Sequence, residues 1–590
     1  MTVRSKEAKR ARRAGPRHAH PVSPRPQRES GTWFCTTHRA LILLSLGTLL
    51  LKSLIFAPIS WWPLSFVCLV PWLILVGVAD RAPRVYLYSF VWAFVFFLIN
   101  MRWLYPATGL GYVALCVYEA VYFPLMACVL RHGIRRRPIP LALLVALIWT
   151  GNELLRAIVM SGFPWFFLAH SLYQVRTLIQ VSDLVGAYGT SFLVAAVNGA
   201  VADYLLTRLR RNGAVEAAWS ARRATWSAVI TGVLFLAVIV YGQVQLRSKA
   251  TSAGPLVAVL QGDYLSLVEG DEVEDDVKRQ YYLEQIEAAA AQKPDLFLLP
   301  ETPWIMYLNP EVRTFQQKWR ESYEALRNAA VRNQAFLVTG SASLILTPTD
   351  ILATERRYNS AMVFNPEGTE PGRYDKVHVV PFGETVPFRF GRLRFLYFWL
   401  NRIMPFSGAD GTFEYSMFPG SGFHVFSMKA RSLGGREFWF GIPICYEDVM
   451  PYVSREFVKG QEGKRAHFLL NISNDGWFGR GVQQPQHLAV CVFRAVENRV
   501  GIARAVNTGV SGFIDPDGRV HDLVHGDPQK RWPGIAGYSV ARLGIDSRYT
   551  LYTRYGDWFG WLCVTGGVIG FVDYWAGRFR KQPSGVEMSP

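Results

Sequence analysis

The sequence predicts two kinds of structure in one chain: a polytopic α-helical membrane domain of about eight transmembrane helices, and an α/β domain. Three observations carry this. Residues from about 40 to 245 are long apolar runs broken by short basic loops, whereas residues from about 255 to 545 have the mixed composition of a globular domain. Eight apolar stretches approach the roughly 20 residues that a helix needs to cross the hydrocarbon core. Between the seventh and the eighth, short β-rich runs alternate with helical stretches, the pattern of an α/β fold.

The expected spans are 41–57, 62–79, 85–104, 109–130, 139–157, 183–205, 224–243 and 556–575. The first has a long basic leader and no clear small-residue cleavage site, so it is expected to stay as an anchor. Orientation follows from Lys and Arg. The leader, Asp80–Arg84, Arg131–Arg137, Arg208–Arg223 and Arg578–Lys581 carry the basic residues, and they are alternate connections. The loops between them, such as Ala57–Trp61 and Tyr105–Gly109, carry almost none. This predicts a cytoplasmic N-terminus, an α/β domain outside the membrane and a tail that returns to the cytoplasm. The expected divisions are a basic, disordered leader over 1–38, seven helices over 39–246, the α/β domain over 250–548, an eighth helix over 555–577 and a tail over 578–590.

Within the α/β region the strand candidates are Leu256–Leu260, Leu296–Leu299, Phe336–Thr339, Ala361–Phe364, Phe438–Ile444, Phe468–Ile472 and Ile502–Val506. The clearest helices are Val273–Gln292 and Gln486–Arg499.

A net charge of +18 often signals nucleic acid. Here much of the excess lies in the leader and the loops beside apolar runs, so no nucleic-acid partner is expected. Seven cysteines, scattered and mostly inside apolar runs, do not make a disulfide framework. With no CxxC and no histidine cluster at ligand spacing, neither a metal nor a cofactor is expected.

Three segments carry chemistry. Leu298–Thr302 places Glu301 at the end of an apolar strand. Tyr374–Glu384 contains Lys376 and Glu384. Gly441–Asp448 places Cys445, Tyr446 and Glu447 at the end of another strand. Strand ends are where catalytic groups gather in α/β sheets. A cysteine attacks a carbonyl as a thiolate, which needs a base or a cation beside it. Glu301 can serve as that base, and Lys376 can stabilise an oxyanion. Singly, each residue also has a commoner role in packing, capping or a solvated turn.

In that order and spacing, Pro-Glu-Thr, Tyr-Asp-Lys…Pro-Phe-Gly-Glu and Cys-Tyr-Glu resemble the Glu-Lys-Cys triad of the nitrilase (carbon–nitrogen hydrolase) superfamily, which implies an αββα sandwich. Residues 471–479, Pro485-Gln486-His487 and 494–499, with the membrane spans, narrow the resemblance to the membrane-embedded apolipoprotein N-acyltransferase branch. That resemblance implies Cys445 as nucleophile, Glu301 as general base and Lys376 as oxyanion cation, with Glu384, Tyr446 and Glu447 in support. It implies acyl transfer from a glycerophospholipid, phosphatidylethanolamine foremost, through a cysteine thioester to the α-amino group of a diacylglyceryl-cysteine apolipoprotein. It also implies a bacterial inner membrane with the catalytic domain on the periplasmic face. On the membrane side it extends to Gly162-Phe163-Pro164-Trp165 and Tyr188–Phe192. One departure stands out: the family tryptophan shortly after Gln261-Gly262 is absent, so either another aromatic, Tyr264 or Trp304, serves or that loop contacts substrate differently.

Between Lys376 and Cys445, Phe388, Phe390, Phe395, Tyr397, Phe398 and Trp399 interleave with arginines. A lid that meets membrane lipids explains such a surface, and a buried arm is the alternative. Glu153 and Arg156 are spaced to pair on one helix face, with Glu119 on the preceding span. They line a lipid path or join helices. Two rival functions remain open: a membrane-tethered amidase or nitrilase, and a transporter or receptor whose nitrilase-like domain only binds a ligand.

Overall fold

The computed structural model describes residues 37–211, 221–265, 273–346, 355–389, 392–403, 416–524 and 536–579. The basic leader, the end of the tail and Phe390 lie outside the described residues.

Six helices among the described residues are long and apolar enough to span a bilayer: Ala82–Asn100, Gly109–Arg136, Leu141–Ile158, Ala187–Arg211, Ala221–Arg247 and Trp558–Phe579. The expected spans at 41–57 and 62–79 correspond to shorter pieces, His38–Leu54 and a 3-10 turn Trp62–Phe66 followed by Val70–Val78. Pro63 and Pro71 sit in the first turns of the last two, where a missing N–H costs nothing, and they divide that segment. The long helices expose apolar side chains along a face, as in Val229, Val233, Leu236, Val240 and Val244. Lipid is the solvent that such a stripe accepts. The chain is a multi-pass membrane protein.

Arg156 does not pair with Glu153 on its own helix. It makes a short ion pair with Glu119 on the neighbouring span and donates to the Trp165 carbonyl at 2.8 Å. The Glu153 carboxylate instead accepts from Trp149 Nε1 and the Leu168 backbone, both at 2.8 Å. A buried charge needs a partner, and the facing helix offers one without bending either side chain.

The α/β domain is built from twelve strands among the described residues: β1 (Thr251–Gln261), β2 (Leu296–Leu298), β3 (Phe336–Leu346), β4 (Glu355–Phe364), β5 (Gly372–Asp375), β6 (Val425–Ala430), β7 (Arg436–Gly441), β8 (Phe468–Ser473), β9 (Gly501–Val506), β10 (Gly512–Ile514), β11 (Val520–His521) and β12 (Gly537–Asp546). They form two six-stranded sheets, ordered β12-β1-β2-β3-β4-β5 and β11-β10-β9-β8-β7-β6. In each, three central strands are parallel and the outer pairings antiparallel.

The period-2 geometry of a strand separates the two faces of the first sheet. Val257, Val259, Leu296, Leu298, Val338, Ala361 and Val363 join the core that includes the second sheet. Their neighbours Ala258, Leu260, Phe297, Leu299, Leu337, Met362 and Phe364 pack against helices Asp275–Ala290 and Gln317–Asn333 through Ile286, Leu326 and Ala330. On the second sheet, helices Pro451–Val458 and Gln483–Asn498 complete the αββα order. All seven strand segments expected from the sequence overlap strands, with Leu299 and Ile442–Ile444 lying beyond the ends of β2 and β7. The strands not foreseen, β5, β6, β10, β11 and β12, are short or half-exposed and carry little apolar signal.

Backbone contact between the sheets is close at Gly501. A Cβ there would stand 2.5 Å from the Gly544 carbonyl oxygen. Gly501→Ala should therefore force the sheets apart at a cost of about 1–3 kcal/mol, read as a lowered Tm of the detergent-purified protein; an unchanged Tm contradicts this.

Candidate active site

Three chain segments leave strand ends on one side of the sandwich. Glu301 follows β2, Lys376 follows β5, and Cys445 opens a 3-10 turn (Cys445–Asp448) beyond β7. Two residues here adopt left-handed backbone: Thr302, at φ 43°, beside the carboxylate, and Cys445 itself, at φ 52°. Such backbone is costly outside glycine and persists where surrounding contacts over-determine it. Gly340 of β3 makes room for the first turn, since a Cβ would come within 2.6 Å of Glu301 Cα.

The Lys376 ammonium is buried, 2.9 Å from both carboxylate oxygens of Glu384 and 3.9 Å from Glu301 Oε1. Asn359, from β4, donates from one amide nitrogen to Glu301 Oε1 at 2.6 Å and to Glu384 Oε1 at 2.8 Å. The Val380 N–H holds the other Glu384 oxygen at 2.8 Å. The Cys445 thiol is half-buried and lies within hydrogen-bonding reach of the Glu301 carboxylate.

Electrostatics follow from this packing. Burial and the Glu301 charge push the Cys445 thiol up, with Lys376 pulling the other way. Burial also raises the Glu301 carboxyl, against the pull of Lys376. Burial works to lower the Lys376 ammonium, but Glu384, the Cys445 thiolate and Glu301 outweigh it and hold the cation charged. The resting arrangement is a protonated thiol beside a carboxylate whose basicity is enhanced, with a fixed cation facing both.

Glu447 joins two of the three segments. Its Oε1 accepts from the N–H groups of Val377 and His378 at 2.8 and 3.0 Å, and its Oε2 from Ile444 at 2.8 Å. The Tyr374 hydroxyl reaches both oxygens, at 2.8 and 3.0 Å. Donors beside Lys376 and beside Cys445 thus converge on one carboxylate. Tyr446 turns the other way. Its hydroxyl donates to the Gly162 carbonyl at 3.2 Å and its ring stacks on Phe163, tying the residue after the thiol to the loop that follows the membrane helix Leu141–Ile158.

A family model of the apolipoprotein N-acyltransferase N-terminal domain matches residues 48–200, and a carbon-nitrogen hydrolase model matches residues 256–527. An apolipoprotein N-acyltransferase of Geobacter metallireducens is 33% identical over 77% of this chain and 77% of its own. This chain belongs to the apolipoprotein N-acyltransferase family. A further relative of that name, from Azotobacter vinelandii, is 29% identical over 88% of this chain and 92% of its own. Among solved structures, an amidase from Nesterenkonia sp. aligns over 51% of this chain and 93% of its own, at 17% identity and a TM-score of 0.32. The family placement rests on the sequence relatives, not on that likeness.

Of the two residues offered in place of the family tryptophan, Trp304 is excluded. It is buried between the first sheet and its helices, with Nε1 bonded to Ser322 Oγ at 3.1 Å. Tyr264 is half-buried, its carbonyl held by Asn507 and Thr508 at 2.6 and 2.8 Å. The aromatic loop forms the helix Arg394–Ile403, on which Phe395, Phe398 and Trp399 are 64%, 57% and 59% exposed and Tyr397 is half-buried. Phe388 is half-buried as well, so the loop is not a buried arm. Asn359 and Gly340 carry no motif. Asn359 lies in the polar first half of β4 and Gly340 between Thr339 and Ser341, and neither position stands out from its neighbours.

Glu447→Gln turns an acceptor into a donor among N–H groups, at a cost of about 1–3 kcal/mol. It should slow iodoacetamide alkylation of Cys445 at least tenfold while the protein remains folded by circular dichroism; alkylation at the wild-type rate would show that Glu447 does not hold the thiol.

Proposed function

We propose that Cys445 is the nucleophile, Glu301 the general acid–base and Lys376 the oxyanion-binding cation of an N-acyltransferase that matures lipoproteins. Glu384 and Asn359 orient Lys376 and Glu301, and Glu447 and Tyr446 hold the turn that carries the thiol. In the first half-reaction Glu301 takes the thiol proton, and sulfur attacks an acyl ester carbonyl of a glycerophospholipid, phosphatidylethanolamine in our reading. Lys376 faces the oxyanion as it forms. Collapse breaks the C–O bond, Glu301 returns the proton, and the lysophospholipid leaves. In the second half, the α-amino group of a diacylglyceryl-cysteine attacks the thioester, Glu301 accepts its proton, and the thiolate departs with the amide formed.

The observation that carries this reading is the convergence of thiol, carboxylate and ammonium beside a residue bonded to a loop of the membrane domain. Both substrates are lipid-anchored, and a site at that boundary is within their reach. The exposed aromatics of Arg394–Ile403 favour lipid over a small soluble amide as substrate. We further propose the division into leader, membrane domain, catalytic domain, eighth helix and tail at the boundaries given above. The alternation of basic loops supports an orientation in the bacterial inner membrane with the catalytic domain on the periplasmic face.

Incubated with acyl-labelled phosphatidylethanolamine, the wild-type protein should acquire a hydroxylamine-labile label that Cys445→Ser lacks. An unlabelled wild type overturns the acyl-enzyme. Replacing Phe398 and Trp399 together by Asp should slow labelling from bilayer phospholipid at least tenfold and leave iodoacetamide alkylation of Cys445 unchanged. Equal labelling of both proteins removes the lid.

A further inference from the structure

Beneath the nucleophile turn lies a second set of charges, none of which touches Glu301 or Lys376. Asp448 closes the turn that Cys445 opens, and Asp475 opens the equivalent 3-10 turn (Asp475–Phe478) beyond the neighbouring parallel strand β8. Between them stands His487, from the first half of helix Gln483–Asn498. Its Nε2 is 2.6 Å from Asp448 Oδ1 and its Nδ1 is 2.9 Å from Asp475 Oδ1. Arg504 of β9 spans the same two carboxylates, in a short contact with Asp448 and 3.6 Å from Asp475, and donates to Asn471 Oδ1 at 2.8 Å. All four charged residues are buried.

A neutral imidazole has one N–H and one lone pair. With a carboxylate oxygen at hydrogen-bond distance from each ring nitrogen, a neutral ring would aim its lone pair at an anion. Only the imidazolium satisfies both contacts. Two cations then balance two anions, which a buried cluster requires if it is not to carry a large desolvation penalty.

The cluster reaches the thiol through Ser473, the last residue of β8. Its hydroxyl donates to Asp475 Oδ1 at 3.1 Å and lies within hydrogen-bonding reach of Cys445. The charges that face Cys445 are Glu301, Lys376 and Asp475. Those that face His487 are Asp448, Asp475 and Arg504. We propose that His487 is a positioning residue that, as an imidazolium, pins the Cys445 turn to the adjacent strand end and cancels the Asp475 charge behind the thiol. Burial opposes the charged ring, but Asp448 and then Asp475 override it and lift the imidazolium to about 9. The cation therefore persists through neutral pH. The inference rests on Cys445 being the nucleophile and adds what keeps its thiolate attainable.

Helix Gln483–Asn498 also carries this device to the membrane side. Gln486, next to His487, accepts from Trp103 Nε1 and Trp165 Nε1 at 3.1 and 3.0 Å, and the Trp165 ring lies 5.7 Å from the imidazole.

The test uses the full-length protein in detergent, with His487→Gln and the double variant His487→Gln/Asp475→Asn, and Cys445→Ser as blank. The single variant leaves one uncompensated anion near the thiol. The pH midpoint of Cys445 alkylation by iodoacetamide should rise by about one to two units, the scale of one charge about 6–10 Å away at an effective dielectric near 20. Thioester formation from labelled phosphatidylethanolamine at pH 7.5 should fall about tenfold. The double variant, neutral again, should return the midpoint to within a few tenths of wild type and recover most of the rate. If His487→Gln alone does not fold, a double variant that folds and alkylates near the wild-type midpoint carries the same conclusion. A single variant with a wild-type midpoint, or a double variant no better than the single, overturns the proposal. Wild type that forms no thioester overturns the nucleophile instead, and its alkylation profile separates the two failures.

Discussion

The carboxylate of Glu447 is the contact on which the site geometry depends. A buried carboxylate is expensive unless donors surround it. Here three backbone N–H groups and one hydroxyl do so, from two chain segments that the sequence separates by about seventy residues. Those donors sit next to Lys376 and next to Cys445. Satisfying Glu447 therefore sets the distance between the ammonium and the thiol. Asn359 completes the frame from β4 by holding Glu301 and Glu384 together. The strained backbone at Cys445 is the local consequence, maintained because the turn is tied at Ile444, Glu447 and Asp448.

The second constraint is the joint between the two parts of the protein. Glu497 at the end of helix Gln483–Asn498 accepts the Ala187 N–H at 2.9 Å and so caps the positive end of the membrane helix Ala187–Arg211. Arg499 binds Asp183 at 2.6 Å and Asp517 at 2.8 Å. Tyr446 and Gln486 reach the loop 162–165. One helix thus carries contacts to the membrane side along its length and presents His487 to the Cys445 turn from its first half. The neighbours of Cys445 and the bilayer-spanning helices are held in one frame, which suits an enzyme whose two substrates both live in lipid.

Much of the fold is legible in the residue pattern alone. β2, β8 and β9 are buried on both faces, and β1, β3, β4 and β7 each contain an apolar stretch, so these seven announce themselves. Edge strands β5, β6, β11 and β12 face solvent on one side, and their composition resembles that of loops. Membrane helices are legible by length, except where Pro63 and Pro71 divide an apolar run that hydropathy alone treats as continuous. Glu153 and Arg156 mislead because helical spacing makes two residues neighbours without deciding which one turns to a facing helix.

The sequence by itself determined six of the long apolar helices, the alternation of the central strands and which thiol, carboxylate and ammonium to look for, because hydropathy, periodicity and motif spacing are local properties of the chain. Only the tertiary structure decided that Asn359 bridges two glutamates, that Glu447 fastens the lysine segment to the cysteine turn, that Trp304 belongs to the core and that His487 sits between two aspartates. Each of these depends on which strand ends the two sheets bring together, and such long-range juxtaposition leaves no trace in the spacing of residues along the chain.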